Sequence, residues 1–133
     1  MKLLIFLTPI VLLYSCKQST LNQKLSGSDS LVVEFYQPGT DSITRTVQTT
    51  QKHAIDRMID FVDAKTIDTL NCGFDGNIIF YAKGQAILPM LFKYKDASCR
   101  HFAFELDGKV MSTRMKNEAK DFLESLEAGK DTY

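Results

Sequence analysis

The chain has no tryptophan, only two histidines and three prolines, and no surplus of charge: 16 Lys and Arg stand against 16 Asp and Glu in 133 residues. Each shortage excludes something. With no net positive charge and no basic stripe, there is no electrostatic footprint for nucleic acid. His53 and His101 lie far apart, and neither has the Ser-x-Gly context or a third member from which a catalytic triad is recognised. No Cys-x-x-Cys pair occurs, so the usual thiol redox motif is missing. "CGFDG" (72–76) lacks the spacing of a phosphate loop and precedes no helix, and its glycines read as turn residues with positive φ. The carboxylate pairs Asp56/Asp60 and Asp121/Glu124 fall on polar helix faces, where charges are simply solvated. The sequence therefore favours binding or support over catalysis and implies no cofactor.

What is present is regular. "LVVEFY" (31–36) and "ITRTVQT" (43–49), separated by "QPGTDS", predict a β-hairpin. Ala54, Ile55, Met58, Ile59 and Val62 recur at helical spacing behind a Thr49 or Thr50 cap. Ile67 and Leu70 lead as a looser connection into the Gly/Asn-rich turn. Four strands follow: 78–82, 85–95, 99–106 and 109–114, turning at Lys83-Gly84, at "DAS" and at Asp107-Gly108. Pro89 lacks an N–H, so its strand is expected at an edge or bulged. A second amphipathic helix carries Ala119, Phe122, Leu123 and Leu126, with Asn117 as its cap and Gly129 as its stop. The order ββαββββα predicts an α+β domain, an antiparallel meander of five to six strands with two amphipathic helices packed on one face. Phe102, Phe104 and Leu106 would face the helices, leaving Cys99, His101, Ala103 and Glu105 on the open side.

The amino terminus has a separate character. Met-Lys is followed by "LLIFLTPIVLLY" (3–14), too short for the ~20 residues of a spanning helix and interrupted by Pro9, but suited to an export signal. Leu13-Tyr14-Ser15-Cys16 resembles the lipobox of bacterial lipoproteins, with Tyr14 bulkier than the usual occupant. The resemblance covers the first sixteen residues. It implies that residues 1–15 are a signal peptide and that Cys16 becomes the lipidated first residue of the mature chain, carrying diacylglyceryl and palmitate-type acyl groups. It also implies a membrane partner through that lipid, and, with Lys17 next in line, a place in the cell envelope on the outer membrane facing the periplasm. Residues 16–30, with only Leu21 and Leu25 apolar, read as a flexible lipidated tether, and 31–133 as a single domain. Once Cys16 is spent on lipid, Cys72 and Cys99 remain in an oxidising compartment, and a disulfide between them is the expected pairing.

Two functional readings follow. The first is a membrane-anchored, non-enzymatic module that binds or supports an envelope protein or cell-wall partner, with Tyr94, His101 and Glu105 on the uncovered face as its binding surface, Tyr81 or Phe80 beside them and Arg100 or Lys93 at the margins. The alternative is a small envelope metal-binding protein or enzyme using Cys99, His101 and Glu105, with Cys72 or Asp75 in support. Only one close-spaced ligand pair, Cys99-x-His101, supports a metal, where structural zinc sites carry two. An inhibitor or immunity-type lipoprotein would show concentrated charge for one target, and none is visible.

Overall fold

A computed structural model of the chain describes residues 19–130, so the signal segment, Cys16 and Lys17 lie outside the described residues. Helix α1 (Thr20–Leu25) is followed by the hairpin β1 (Ser30–Tyr36) and β2 (Ile43–Thr49), then α2 (Lys52–Val62) and the two-residue β3 (Thr66–Ile67). The meander β4 (Gly76–Ala82), β5 (Gln85–Lys93), β6 (His101–Leu106) and β7 (Lys109–Arg114) comes next, and α3 (Asn117–Glu127) follows it. The fold is α+β, with one open antiparallel sheet in the order β2-β1-β4-β5-β6-β7-β3.

The hairpins form where local chemistry demands them. Lys83 and Gly84 (φ 52° and 77°) and Asp107 and Gly108 (φ 52° and 77°) supply the paired positive φ angles of a tight two-residue turn. The chain leaves the sheet at the β2 edge and re-enters it at the opposite edge as β3, so α2 is the crossing between edges. Its arrival is fastened by Thr113 Oγ1 donating to the Val62 carbonyl (2.8 Å) and by Arg114 N–H donating to Lys65 O (2.9 Å). This short β3 pairing, absent from the sequence expectation, makes seven strands where five or six were predicted. Cap residues also differ: Gln51 and Lys116 occupy the N-cap positions of α2 and α3, neither making a side-chain cap bond.

The core lies between the sheet and the helices. Leu31, Val33 and Phe35, Ile78 and Phe80, Met90 and Phe92, and Phe102 and Phe104 alternate along their strands onto one face, against Ile55, Met58 and Val62 of α2 and Phe122, Leu123 and Leu126 of α3. Arg57 stacks on Phe61 and Phe122, its guanidinium 5.4 and 4.8 Å from the ring centroids, covering the seam between α2 and α3.

One segment departs from expectation. Residues 20–25 of the expected tether form α1, capped by Ser19 accepting from Asn22 N–H (3.0 Å), with Ser19 Oγ also donating to Asp63, the C-cap of α2 (2.8 Å). The reason is its two leucines: spaced four apart, Leu21 and Leu25 share a helix face and both enter the core. Leu25 is fully buried, so Leu25→Ala is expected to cost about 2–4 kcal/mol. Urea unfolding of the folded domain checks this, and an unchanged midpoint would return the segment to the status of a tether.

Candidate functional site

The helices cover one face of the sheet, which makes the other face the place to look. Its composition follows from the cross-strand register. One row across it reads Glu34, Asn77, Leu91, Ala103 and Ser112; the next contains Val32, Ile79 and Pro89, with Glu105 paired to Val110; a third pairs Lys93 with His101 and His101 with Arg114. The centre of this open face is apolar. Ile79, Pro89, Leu91, Ala103 and Val110, with Phe74 from the loop before β4, line a groove of about 490 Å³ whose polar lining side chains are Asn77 and Glu105. Val110 is 66% exposed, far from the behaviour of a core valine.

Pro89 helps to make the groove. Of the edge or bulge expected from Pro89, the edge is excluded, since β5 lies between β4 and β6, and an irregularity falls close by, where the pairing with β4 passes from Leu88 to Ala86 and skips Ile87. The ladder of β5 to β6 runs from Lys93↔His101 to Met90↔Phe104 and stops short of Pro89, which has no N–H to donate, while a bulge at Phe80/Tyr81 bends the β4–β5 pair nearby.

The three residues expected on this face are not brought together. Tyr94 is a correction: it lies in the core, 2% exposed, with its ring 6.4 Å from that of Phe35 and 5.9 Å from that of Phe92. It continues the inward series Met90 and Phe92, and the residue paired with His101 is Lys93. Glu105 is on the open face and exposed at the groove. His101 is on that face but fully buried, because the Phe74 ring covers it with centroids 5.6 Å apart. The His101 Nδ1 lies 2.7 Å from the Cys99 carbonyl, which can only accept, so Nδ1 carries the hydrogen. Nε2 then faces no partner within the described residues, and the same holds for the nearby Ser112 Oγ.

Phe74 is held in place by its neighbours in sequence. Cys72 and Cys99 form a disulfide, joining the loop before β4 to the start of β6. Cys99 is set by the preceding turn, where the Ser98 hydroxyl and N–H donate to the Asp96 carboxylate (2.7 and 3.0 Å) and hold that carboxyl below its usual range. On the other side of Phe74, the largely buried Asp75 carboxylate accepts from Tyr94 N–H (2.8 Å), Lys95 N–H (2.9 Å) and Lys93 Nζ (3.1 Å). Burial, with the Asp75 charge adding to it, pushes the Glu127 carboxyl above its usual range even though Lys95 Nζ lies 2.8 Å away.

For metal chemistry the arrangement offers little. The Cys99 thiol is consumed by the disulfide, Asp75 is engaged three times, and His101 and Glu105 are four residues apart along one strand, one buried and one exposed. Among the described residues, no group of three or more His, Cys, Asp or Glu side chains converges to hold a metal ion. His53 is exposed on α2.

Residue-type searching missed Phe74, Asn77, Ile79, Leu91 and Val110, which carry no chemistry of their own. A signal was present in "IIFYA" and "ILPMLF", which are apolar at both parities although one face of the sheet has no covering layer among the described residues. Compared with known protein families, with curated proteins and with solved structures, the chain matches none.

Proposed function

We propose that this chain is an exported lipoprotein, anchored in the cell envelope through acyl groups on Cys16 and favouring the outer membrane on its periplasmic side. Its domain acts as a non-enzymatic binding module whose working surface is the open face of the sheet. The observation that carries the binding reading is the apolar groove. Ile79, Leu91, Ala103 and Val110 form a continuous strip on a face that no helix among the described residues covers, and apolar strips of this kind mark interaction sites. The anchor rests on the lipobox-like run Leu13 to Cys16 and on a cysteine arithmetic in which the other two thiols are paired. Because α1 belongs to the domain, a lipid on Cys16 would be close in sequence to the folded part, and the binding face would work close to the membrane.

The test is metabolic labelling with an alkyne palmitate analogue, followed by fractionation. Wild type is expected to carry label and to remain with membranes through a high-salt wash; Cys16→Ser is expected to lose both. An unlabelled wild-type protein with an intact amino terminus sinks the anchor. The face is tested by placing a photo-crosslinking residue at Val110 and, as a comparison, at the exposed Asp60 of α2. Adducts confined to Val110 support the reading, and equal labelling at both positions removes the assignment of the face.

A further inference from the structure

We infer that the groove takes an aliphatic segment of a partner protein that also carries a cationic side chain, an inference that rests on the open face being the binding surface. The groove's apolar floor specifies the aliphatic part. Its polar groups specify the sign. Asn77 and Glu105 are its polar lining side chains, and of the two it is Glu105 that is exposed to an occupant. Asn77 Nδ2 is already committed, donating to Tyr36 Oη (3.0 Å) and toward Glu34 Oε2 (3.4 Å). The carboxylate, which only accepts, fixes the amide orientation, and Asn77 Oδ1 is left buried without a partner in the described residues. Glu105 forms no ion pair among the described residues, and Glu34 is bonded only to Asn77. Two uncompensated carboxylates thus flank an apolar bed. Lys93 and Arg114 of the same face lie in the next row, Lys93 paired to Asp75 at 3.1 Å and Arg114 opposite His101 in the register. An anionic amphiphile would bring its charge against Glu105, whereas an ammonium or guanidinium beside an aliphatic side chain complements both features.

The absence of tryptophan provides a clean assay, since a tryptophan-containing peptide can be followed without background. The probes are capped hexapeptides LKVWKL, LQVWQL and LEVWEL, titrated with the full mature chain at low and high salt. The basic peptide is expected to bind about 2- to 5-fold tighter than the neutral one, in line with an exposed charge pair, with the acidic peptide weakest and the difference shrinking at high salt. Glu105→Gln should narrow the difference between the basic and the neutral peptide, bringing the basic one toward the neutral affinity. Val110→Asp, at an exposed position that does not threaten folding, should weaken the neutral peptide. If the neutral and basic peptides bind equally, and Val110→Asp weakens both, the cation preference is wrong and the binding face stands. If no peptide binds, the inference is overturned whatever the fate of the face, which the crosslinking decides separately. Concentration-dependent self-association abolished by Val110→Asp assigns the groove to a second copy and also overturns it.

Discussion

Gly76→Ala is expected to destabilise the domain by about 3 kcal/mol or more, the upper end for an overpacked core, and to leave much of it unfolded. The cause is the aromatic layer. Across the covered face of the sheet, Phe35 of β1, Gly76 of β4 and Phe92 of β5 form one row, and the two rings meet edge to face over the glycine with centroids 5.7 Å apart. A side chain on β4 at that point would keep them apart. A methyl group there would press on the Glu34 carbonyl and approach the Phe92 ring to 2.5 Å, closer than real contacts allow. Gly76 is therefore needed for space, a correction to its reading as a turn residue; among the glycines of the loop it is Gly73 that has the positive φ, 70°. Gly27→Ala is the control: nothing lies within 4 Å of its added methyl, and its urea midpoint should stay within about 0.5 kcal/mol of wild type. Adding Phe92→Leu to Gly76→Ala should recover only part of the loss, because the Glu34 carbonyl is backbone and cannot step aside. A wild-type midpoint for Gly76→Ala would show that the rings do not meet over it.

Removing the Cys72–Cys99 bridge, by the double alanine variant or by reductant, is expected to cost about 3–4 kcal/mol on the chain-entropy account of a loop of this length, with a sequence separation of 27. In a domain of this size that lowers the unfolding midpoint by roughly 10–20 °C. The loss should have a local signature as well. The bridge and Asp75 bracket Phe74, so its release should raise amide exchange in residues 70–74 and at the start of β6 before the rest of the sheet opens. The His101 ring, now fully buried, should become accessible to solvent and to imidazole-directed reagents. Calorimetry with and without reductant, together with exchange mass spectrometry, checks both parts. Identical midpoints in the two conditions would mean that the loop is held by Asp75 alone. Because the groove shares Phe74, the same variant is expected to weaken occupancy of the open face, which links the staple to the binding surface.

Much of the architecture was legible from local chemistry. The inward faces of α2 and α3 are the residues that recur at helical spacing, and Ala54, Ile55, Met58, Ile59 and Val62 are all buried. The Lys83-Gly84 and Asp107-Gly108 turns close the hairpins they announce, and Phe102, Phe104 and Leu106 face the helices as alternation requires. These features depend on a few neighbouring residues, so a linear reading captures them. The candidate site was less legible. Glu105 and His101 were placed on the correct side, but Tyr94 was not, because the partner of His101 depends on register, and a one-residue change of register exchanges the two faces.

The sequence by itself determined α2 and α3, the six longer strands, the hairpin turns and the two cysteines available for a staple, since each is written in spacing and residue type. Tertiary structure alone decided that β1 pairs with β4, that Gly76 makes room for two rings from neighbouring strands, that α1 docks through Leu21 and Leu25, and that Phe74 closes over His101. Each of these is a contact between segments distant along the chain. Such contacts form because buried apolar area and satisfied backbone bonds must be found for the whole domain at once, and no local window carries that condition.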